Sequence, residues 1–488
     1  MTEPTAFTSA FDPDAAARDT LRLLGAAPDD WVPARAGVDH NVAIIGGGQT
    51  GVAFAFALRR AGIGRTVVFD AAPDESQAGV WRTRARMNRL RTPKSLVGPE
   101  GGLPGLSFQA WYEARFGAQA YAAIERIART DWADYVAWYR HFLEIPVRYS
   151  TRVVRIEPSE QAFRLHLEVR GGQHVRHVVE TARKVVLCNG VAGNGAPYVP
   201  PVLRRLPAEL VAHTSDAIDF AALRGKRVAV VGGAASAFDA AGTALEAGAA
   251  HVHLFARRAT LAATPITRTR AYPGAYDNYF HLPDAVRWSQ ARRFKRFGST
   301  PPVDSVERVT RFDNFHLHPG VQWEQAEAVD GAIAAHVAGE TLAFDFVIAG
   351  TGYAIDLHAR PELADFANYV RLWCDQFTPA TTEADDALGA HPYLGEGLEY
   401  LEKTPGVAPY LKDIHVYNPG AFVSFGLPVG DVPSMKRDIP AVVRRISRDL
   451  FVADLDAHRA RIDGEIAAEF DASLYAHRVW RGERVGVD

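Results

Sequence analysis

Three glycines, Gly46, Gly48 and Gly51, form a G-x-G-x-x-G pattern directly after the apolar run VAII. In this pattern the first glycine permits a tight turn, the second lets a pyrophosphate approach bare backbone, and the third lets a helix pack closely on the strand. The N-terminus of that helix favours the negative charge of phosphates. The spacing therefore predicts a dinucleotide site, with Gln49 and Thr50 in the same phosphate-binding turn.

An acidic residue follows at the distance that such a site requires. Asp70 stands nineteen residues after Gly51, at the end of the apolar run TVVF, which predicts a second buried strand. A carboxylate at this position can accept hydrogen bonds from both hydroxyls of an unphosphorylated ribose.

A second unit of the same kind begins further along the chain, in KRVAVVGGAASAFDAAG. Its turn has Gly232, Ala234 and Ala237 in a G-x-A-x-x-A pattern, and it carries Ser236. Alanine at the third position slightly widens the approach of helix to strand, and the serine hydroxyl can donate a hydrogen bond to phosphate. The pattern predicts a second dinucleotide site.

The residues in the place of Asp70 differ in this second unit. There the strand HVHLFA runs into Arg257 and Arg258. A carboxylate would repel a ribose 2′-phosphate, whereas guanidinium groups attract one. The asymmetry predicts FAD in the first site and NADPH in the second. The alternative is that the two arginines only solvate a surface loop.

The bulk properties are those of a globular protein with two or three domains. The chain has 488 residues, of which 48% are hydrophobic and 23% charged, and a formal net charge of −3. This charge gives no reason to expect nucleic acid or a membrane as partner. Cys188 and Cys374 lie far apart, so we expect neither a disulfide nor a metal site. The polar N-terminus and the lack of a long apolar run predict a soluble, cytoplasmic protein.

The strand–turn–helix–strand pattern of both units predicts an α/β fold with two Rossmann-like dinucleotide-binding domains and a helical insert. Two further buried runs end in small-residue turns, KVVLCNG at Gly190 and FDFVIAGTGY at Gly352 and Tyr353. We expect that the chain returns to the sheet of one domain at the first of these strands and to that of the other domain at the second. The predicted divisions are an N-terminal extension (1–40), the first part of the FAD domain (41–216), the NADPH domain (217–343) with a helical insert (about 265–313), and the second part of the FAD domain with C-terminal helices (344–488).

Together, GGGQTG with Asp70, GVW ending in Trp81, VVGGAASA, ARR and IAGTGY resemble the motifs of flavoproteins with two dinucleotide-binding domains. Among these, the sequence looks most like the class B flavin-dependent monooxygenases, which include flavin-containing, Baeyer–Villiger and N-hydroxylating monooxygenases. The resemblance covers about residues 42–352, with a weaker match through SFGLPVGDVPS, where Asp431 stands.

The resemblance implies a reaction and a role for each motif. NADPH reduces FAD by hydride transfer, O2 then forms a flavin (hydro)peroxide, and one oxygen atom is inserted into a small-molecule substrate. Trp81 would lie beside the flavin. The other residues that would bind cofactor are those of the two glycine turns, Asp70 and the two arginines, together with Gly190, Gly352, Tyr353 and Asp431.

Two stretches depart from the family patterns. The motif F-x-G-x-x-x-H-x-x-x-W/D corresponds to LPAELVAHTSDAID, which keeps His213 but has Pro207 and Glu209 at the phenylalanine and glycine positions. In RLRTPKSLVGPE, Lys94 matches a family lysine, while Arg91 stands where flavin-containing monooxygenases tend to have asparagine. The resemblance makes Arg91 and Lys94 catalytic candidates, and a cation near the flavin favours an anionic substrate. A surface salt bridge is the alternative for Arg91.

Other functions share this architecture. A disulfide reductase needs a nearby cysteine pair, which the sequence does not provide, whereas an NADPH oxidase or flavin-dependent reductase without oxygen insertion stays open. Within the monooxygenase hypothesis, N- or S-oxygenation is favoured, because the Baeyer–Villiger motif is the most altered. We expect residues of the insert to line part of the substrate site: Tyr272, Tyr276, Asp277, His281 and Trp288.

Overall fold

The computed structural model describes residues 12–426 and 429–482. Residues 1–11 of the predicted extension, Leu427 and Pro428 of SFGLPVGDVPS, and residues 483–488 lie outside the described residues. The strands are β1 (His40–Ile45), β2 (Thr66–Phe69), β3 (Arg89–Pro93), β4 (Arg126–Ala128), β5 (Val147–Arg148), β6 (Thr151–Pro158), β7 (Phe163–Gly171), β8 (His174–Leu187), β9 (Gly195–Pro197), β10 (Val211–His213), β11 (Arg227–Val231), β12 (His251–Ala256), β13 (Phe315–Pro319), β14 (Trp323–Val329), β15 (Ala332–Val337), β16 (Glu340–Phe344), β17 (Phe346–Ala349), β18 (Tyr353–Ile355) and β19 (Ile414–Val416). The helices are α1 (Pro13–Leu24), α2 (Gln49–Arg60), α3 (Phe108–Phe116), α4 (Ala118–Ala123), α5 (Arg129–Phe142), α6 (Ala235–Glu246), α7 (Pro273–Asn278), α8 (Asp284–Phe297), α9 (Val303–Thr310), α10 (Trp373–Gln376), α11 (Asp386–Gly389), α12 (Phe422–Phe425), α13 (Val432–Ala453), α14 (Leu455–Ile462) and α15 (Ser473–Ala476).

The first glycine turn follows β1 in a seven-stranded sheet of order β5-β2-β1-β8-β7-β6, with β19 beside β8. β1 pairs in parallel with β2 and β8, so that Ile45 lies opposite Phe69 and Leu187. The paired residues are buried on both faces, as continuous apolar runs predict. Buried aromatic residues of α5 and apolar residues of α13 complete the core of this unit.

The second glycine turn follows β11 in a five-stranded sheet of order β10-β17-β11-β12-β13, whose neighbouring strands all pair in parallel. β17 is the run FVIA of FDFVIAGTGY, and it lies between β10 and β11. The predicted domain boundaries at residues 217 and 344 are therefore wrong, because β10 and β17 both belong to this second sheet. The chain rejoins the first sheet at β19, where Val416 pairs with Leu187.

The segment predicted as a helical insert packs on two different parts of the protein. Helix α8 packs on the C-terminal part of the chain, because Trp288 is buried 6.2 Å from the ring centre of Trp373. Helix α9 packs on α6, where the Ser305 hydroxyl donates to Asp239 at 2.7 Å. Helix α9 is therefore part of the second nucleotide unit rather than of a separate subdomain.

Residues 12–40, predicted as an extension, pack on the first unit. Val32 is buried, and the Trp31 indole donates to the carbonyl of Ala61 at 2.8 Å. Within the described part of the chain, no helix is long and apolar enough to cross a membrane.

Candidate functional site

The first glycine turn has the shape of a pyrophosphate site. Gly46 has a φ of +113°, and a Cβ on it would lie 2.2 Å from the carbonyl oxygen of Cys188. A Cβ on Gly51 would lie 1.9 Å from the carbonyl oxygen of Gly46. Helix α2 begins at Gln49, and Gly48 at its N-cap offers no side chain to its first N–H groups, which can therefore face an anion. The turn fits the dinucleotide phosphates that its sequence predicts.

Asp70 follows the last residue of β2 and holds the glycine turn. Its Oδ2 accepts a hydrogen bond from the N–H of Gly47 at 2.6 Å, and its Oδ1 accepts one from the N–H of Ala72 at 2.7 Å. The carboxylate is thus fixed beside the turn, at the strand end where the adenosine ribose of a dinucleotide would lie. Its contact with that ribose stays a prediction. Thr50, also predicted to bind cofactor, is buried in the first turn of α2.

Two tryptophans fix the side chain of Gln49. Its Oε1 accepts hydrogen bonds from the indole of Trp81 at 3.0 Å and from that of Trp132 at 2.8 Å. The prediction included Gln49 and Trp81 but not Trp132, since aromatic spacing on α5 does not distinguish a core residue from one that contacts a site. The Nε2 of Gln49 lies 3.5 Å from the carbonyl oxygen of Gly430, so this group joins the glycine turn to the start of α13.

Asp431 caps the N-terminus of α13 and accepts a hydrogen bond from the N–H of Ser434 at 3.2 Å. Burial, with a further contribution from Asp438, raises the pKa of Asp431 to about 7. The insert covers this helix end, because the carbonyl of Tyr276 accepts a hydrogen bond from Arg437 at 2.7 Å. Of the insert residues predicted to line the substrate site, Tyr276 lies here, Trp288 is in a core, and three are exposed: Tyr272, Asp277 and His281.

The second glycine turn resembles the first, with Ala234 and Ala237 in place of the second and third glycines. Gly232 has a φ of +145°, and a Cβ on it would lie 2.2 Å from the carbonyl oxygen of Gly350. A Cβ on Gly350 would lie 2.7 Å from the Cβ of Ala237. Helix α6 begins after Ala234, which has no side-chain cap. A cavity of about 1520 Å³ opens in front of this turn, and the predicted residues that line it are Arg91, Gly232, Ala234, Ser236, Arg257, Arg258, Gly352 and Tyr353.

The two arginines of this cavity have different surroundings. Arg258 donates hydrogen bonds to the carbonyls of Phe297 at 3.0 Å and Lys295 at 3.1 Å, which satisfies the C-terminal end of α8. Arg257 is exposed and forms no side-chain hydrogen bond or ion pair with the described residues. Arg257 is therefore the guanidinium available to a ligand, and Arg258 holds a helix in place.

The two catalytic candidates, Arg91 and Lys94, also contact other groups of the protein. The Nη2 of Arg91 lies 3.5 Å from Oδ2 of Asp239, and burial raises the pKa of that aspartate. This ion pair joins β3 to α6, as the salt-bridge alternative predicts. The ammonium of Lys94 donates to the carbonyls of Tyr121 at 2.6 Å and Ala122 at 3.2 Å, at the end of α4. These contacts give Lys94 the role of a helix cap and offer no support for a catalytic one.

His213, the surviving residue of the altered family motif, holds the turn after β17. Its Nε2 donates to the carbonyl of Gly352 at 2.9 Å, and its ring centre lies 5.3 Å from that of Tyr353. Burial lowers the pKa of His213, so the imidazole is neutral at neutral pH. Gly190 occupies the corresponding turn after β8, with a φ of +79°.

Comparison with known proteins also indicates a flavin-dependent monooxygenase. The family of L-lysine 6-monooxygenase/L-ornithine 5-monooxygenase matches residues 109–309. The FAD-dependent urate hydroxylase of Xanthomonas campestris pv. campestris is 36% identical over 456 residues, which are 92% of this chain and 95% of that protein.

Among solved structures, the ornithine hydroxylase of Pseudomonas aeruginosa has a TM-score of 0.63 and 20% identity, covering 85% of this chain and 99% of its own. The ornithine N-hydroxylase of Kutzneria sp. 744, solved with reduced FAD, NADP⁺ and L-ornithine, has a TM-score of 0.64 and 17% identity, covering 84% and 99%. These structures share the fold. The match to the urate hydroxylase over most of both chains confirms the predicted family: the chain belongs to the class B flavin-dependent monooxygenases, FAD-dependent enzymes that insert one atom of O2 into a substrate.

Proposed function

We propose that this monooxygenase hydroxylates urate or a closely related oxidised purine. The observation that carries the proposal is its 36% identity to a urate hydroxylase over 95% of that protein. In the balanced reaction, urate, NADPH, a proton and O2 give a monohydroxylated purine, NADP⁺ and water. NADPH supplies the two electrons, one oxygen atom enters the substrate, and the other leaves as water.

The two glycine turns divide the cofactors between them. The turn from Gly46 to Gly51, with Asp70, binds FAD, which supplies the reactivity toward O2 when it is bound. The cavity in front of Gly232 binds NADPH, and Arg257 pairs with its 2′-phosphate. We assign the ring end of the flavin to the region of Gln49, which its two tryptophans hold beside the N-terminus of α13.

Charge on the insert favours an anionic substrate. The Nη1 atom of Arg270 is buried and has no hydrogen-bond partner among the described residues. Burial lowers the pKa of this guanidinium, which lies 5.6 Å from the ring centre of Tyr279. Arg270 is half-buried, and an anionic ligand would provide the acceptor that its buried Nη1 lacks among the described residues. Urate is an anion at neutral pH, so we assign Arg270 as its anchor beside Tyr276.

Hydroxylation of an amine is the second candidate, because the lysine and ornithine monooxygenase family matches residues 109–309. Such substrates carry a cationic amine, which the positive charge of Arg270 would repel.

The test is NADPH consumption by the FAD-loaded enzyme with urate, ornithine, lysine or no addition, with hydrogen peroxide followed in parallel. We expect urate to accelerate NADPH consumption and to lose its own ultraviolet absorbance, while little peroxide accumulates. Acceleration by ornithine or lysine instead would favour the amine reaction. Consumption that no substrate changes, with all electrons recovered as peroxide, would identify an oxidase.

The anchor is tested by Arg270→Gln, with Arg268→Gln as a matched control, since Arg268 is an exposed arginine of the same segment. Loss of a charge-assisted hydrogen bond worth about 1.5–3 kcal/mol raises the KM for urate by about 10- to 100-fold in Arg270→Gln. The rate of NADPH consumption without substrate stays the same in both variants. An equal KM for urate in the two variants would remove Arg270 from the substrate site.

A further inference from the structure

Four histidines line one face of the edge of the second sheet. They come from two H-x-H sequences, His251 and His253 on β12, and His316 and His318 on β13. Alternate residues of a strand point to the same face, and β12 and β13 pair in parallel with His253 opposite His316. We call this group the histidine ladder.

The imidazole nitrogens of the ladder face each other. The Nδ1 of His251 lies 3.2 Å from the Nε2 of His316, and the Nδ1 of His253 lies 2.9 Å from the Nε2 of His318. One ring nitrogen from each of His251, His253 and His316 lies within 4.8 Å of the other two. Two imidazole nitrogens bound to the same metal ion at about 2.0–2.1 Å lie about 3 Å apart, so this spacing is close to that of a ligand set.

The ladder has no acidic partner that would explain four adjacent imidazoles. None of its members forms an ion pair with a carboxylate of the described residues, whereas His40, His166 and His281 each lie within 4.0 Å of a glutamate oxygen. Imidazole binds metals through a ring nitrogen that carries no proton, so rings without a carboxylate partner can act as ligands.

We propose that His251, His253 and His316 form a binding site for a late first-row divalent metal ion, Zn²⁺, Ni²⁺ or Cu²⁺. Neutral imidazoles suit these ions, and three of them leave a coordination position for water or for His318. His251 is exposed and gives the ion a path to the site. The expectation that the chain holds no metal site rested on its cysteines and overlooked the HVH and HLH sequences.

The position of the site points to a structural role. β13 is the edge strand of the second sheet, so an ion bound between β12 and β13 would link the edge strand to its neighbour. His251 is the first residue of β12, and Arg257 follows its last, a separation of about 20 Å along an extended chain. The ion would therefore stabilise the sheet without contacting NADPH.

The test uses the untagged, FAD-loaded protein after treatment with a chelator, and it measures Ni²⁺ binding by calorimetry. We expect one strong site in the natural protein and at least about tenfold weaker binding in His251→Asn/His316→Asn. The matched control is His174→Asn/His177→Asn, which removes two exposed histidines of β8 and keeps the strong site. Equal binding by all three proteins would overturn the proposal.

A second measurement does not depend on the variants being well folded. One equivalent of Cu²⁺ added to the natural protein should give an electron paramagnetic resonance spectrum with splitting from several imidazole nitrogens. A spectrum of copper bound to oxygen ligands alone would contradict the site, and the ladder would then be a set of hydrogen-bonded imidazoles. NADPH consumption should be the same with and without the ion.

Discussion

The two glycine turns of this protein both begin with a glycine at positive φ and make room for their helices in different ways. In the first unit, Gly46 lies against the carbonyl of Cys188, and a Cβ on Gly51 would lie 1.9 Å from the carbonyl of Gly46. In the second unit, Gly232 lies against the carbonyl of Gly350, and the third position carries the methyl group of Ala237. That methyl group is accommodated because Gly350, the counterpart of Cys188, has no side chain.

This difference shows where glycine is needed at a dinucleotide site. Close packing of helix, turn and neighbouring strand requires one bare position, and the sequence can supply it on the helix or on the strand that returns to the turn. The ends of the second strands differ as well, with Asp70 in one unit and Arg257 in the other, and we propose that this difference selects the ligand of each unit.

Gly51→Ala should abolish FAD binding. The new Cβ would collide with the carbonyl of Gly46, and helix and turn would have to separate. The measurement is the flavin content of the purified protein, which we expect to fall to a trace. Gly171→Ala is the control, because a Cβ there meets nothing within 4 Å, and it should keep full flavin content. An unchanged flavin content in Gly51→Ala would show that the third glycine is not needed.

Arg257→Ala should raise the KM for NADPH by about 10- to 100-fold, since one charge-assisted hydrogen bond to phosphate is worth about 1.5–3 kcal/mol. The KM for NADH should hardly change, because NADH lacks the 2′-phosphate. Arg258→Ala is the comparison: its guanidinium binds the end of α8, so both cofactors should be affected alike. If Arg258→Ala raised the KM for NADPH alone and Arg257→Ala affected both cofactors alike, Arg258 would be the residue that binds the 2′-phosphate and Arg257 the structural one.

Arg91→Ala should have the smallest effect. The Arg91–Asp239 pair joins the two units, but the arginine side chain is 43% exposed, so its loss should lower the free energy of unfolding by at most about 1 kcal/mol. The fraction of electrons released as peroxide should match that of Arg89→Ala, an exposed arginine of the same strand. A large rise in peroxide with Arg91→Ala alone would indicate that Arg91 acts as a catalytic group at the flavin.

The sequence predicted those parts of the site that depend on local spacing. Both glycine turns, their strands and helices, and the contrast between Asp70 and the arginines follow from patterns a few residues long. The predicted domain boundaries were wrong because they depend on the order of the strands in the two sheets. FDFVIAGTGY is a buried strand in either sheet, and no local feature shows that it completes the second.

The sequence also could not predict side-chain roles that depend on partners far away in the chain. Trp132 has the spacing of a core residue, and its bond to Gln49 depends on the position of α5 against the first turn. Arg257 and Arg258 are identical in type and adjacent, and the end of α8 alone separates their roles. The H-x-H pairs were visible in the sequence, but their parallel register required the sheet.

The central claim, that each turn holds its own dinucleotide, is tested most directly by measuring bound FAD and the Kd for NADPH side by side in Gly51→Ala and Gly350→Val. A side chain on Gly350 would lie against Ala237 and close the second turn. We predict that Gly51→Ala loses FAD and still binds NADPH, whereas Gly350→Val keeps FAD and loses NADPH. Loss of the same cofactor in both variants would contradict the account.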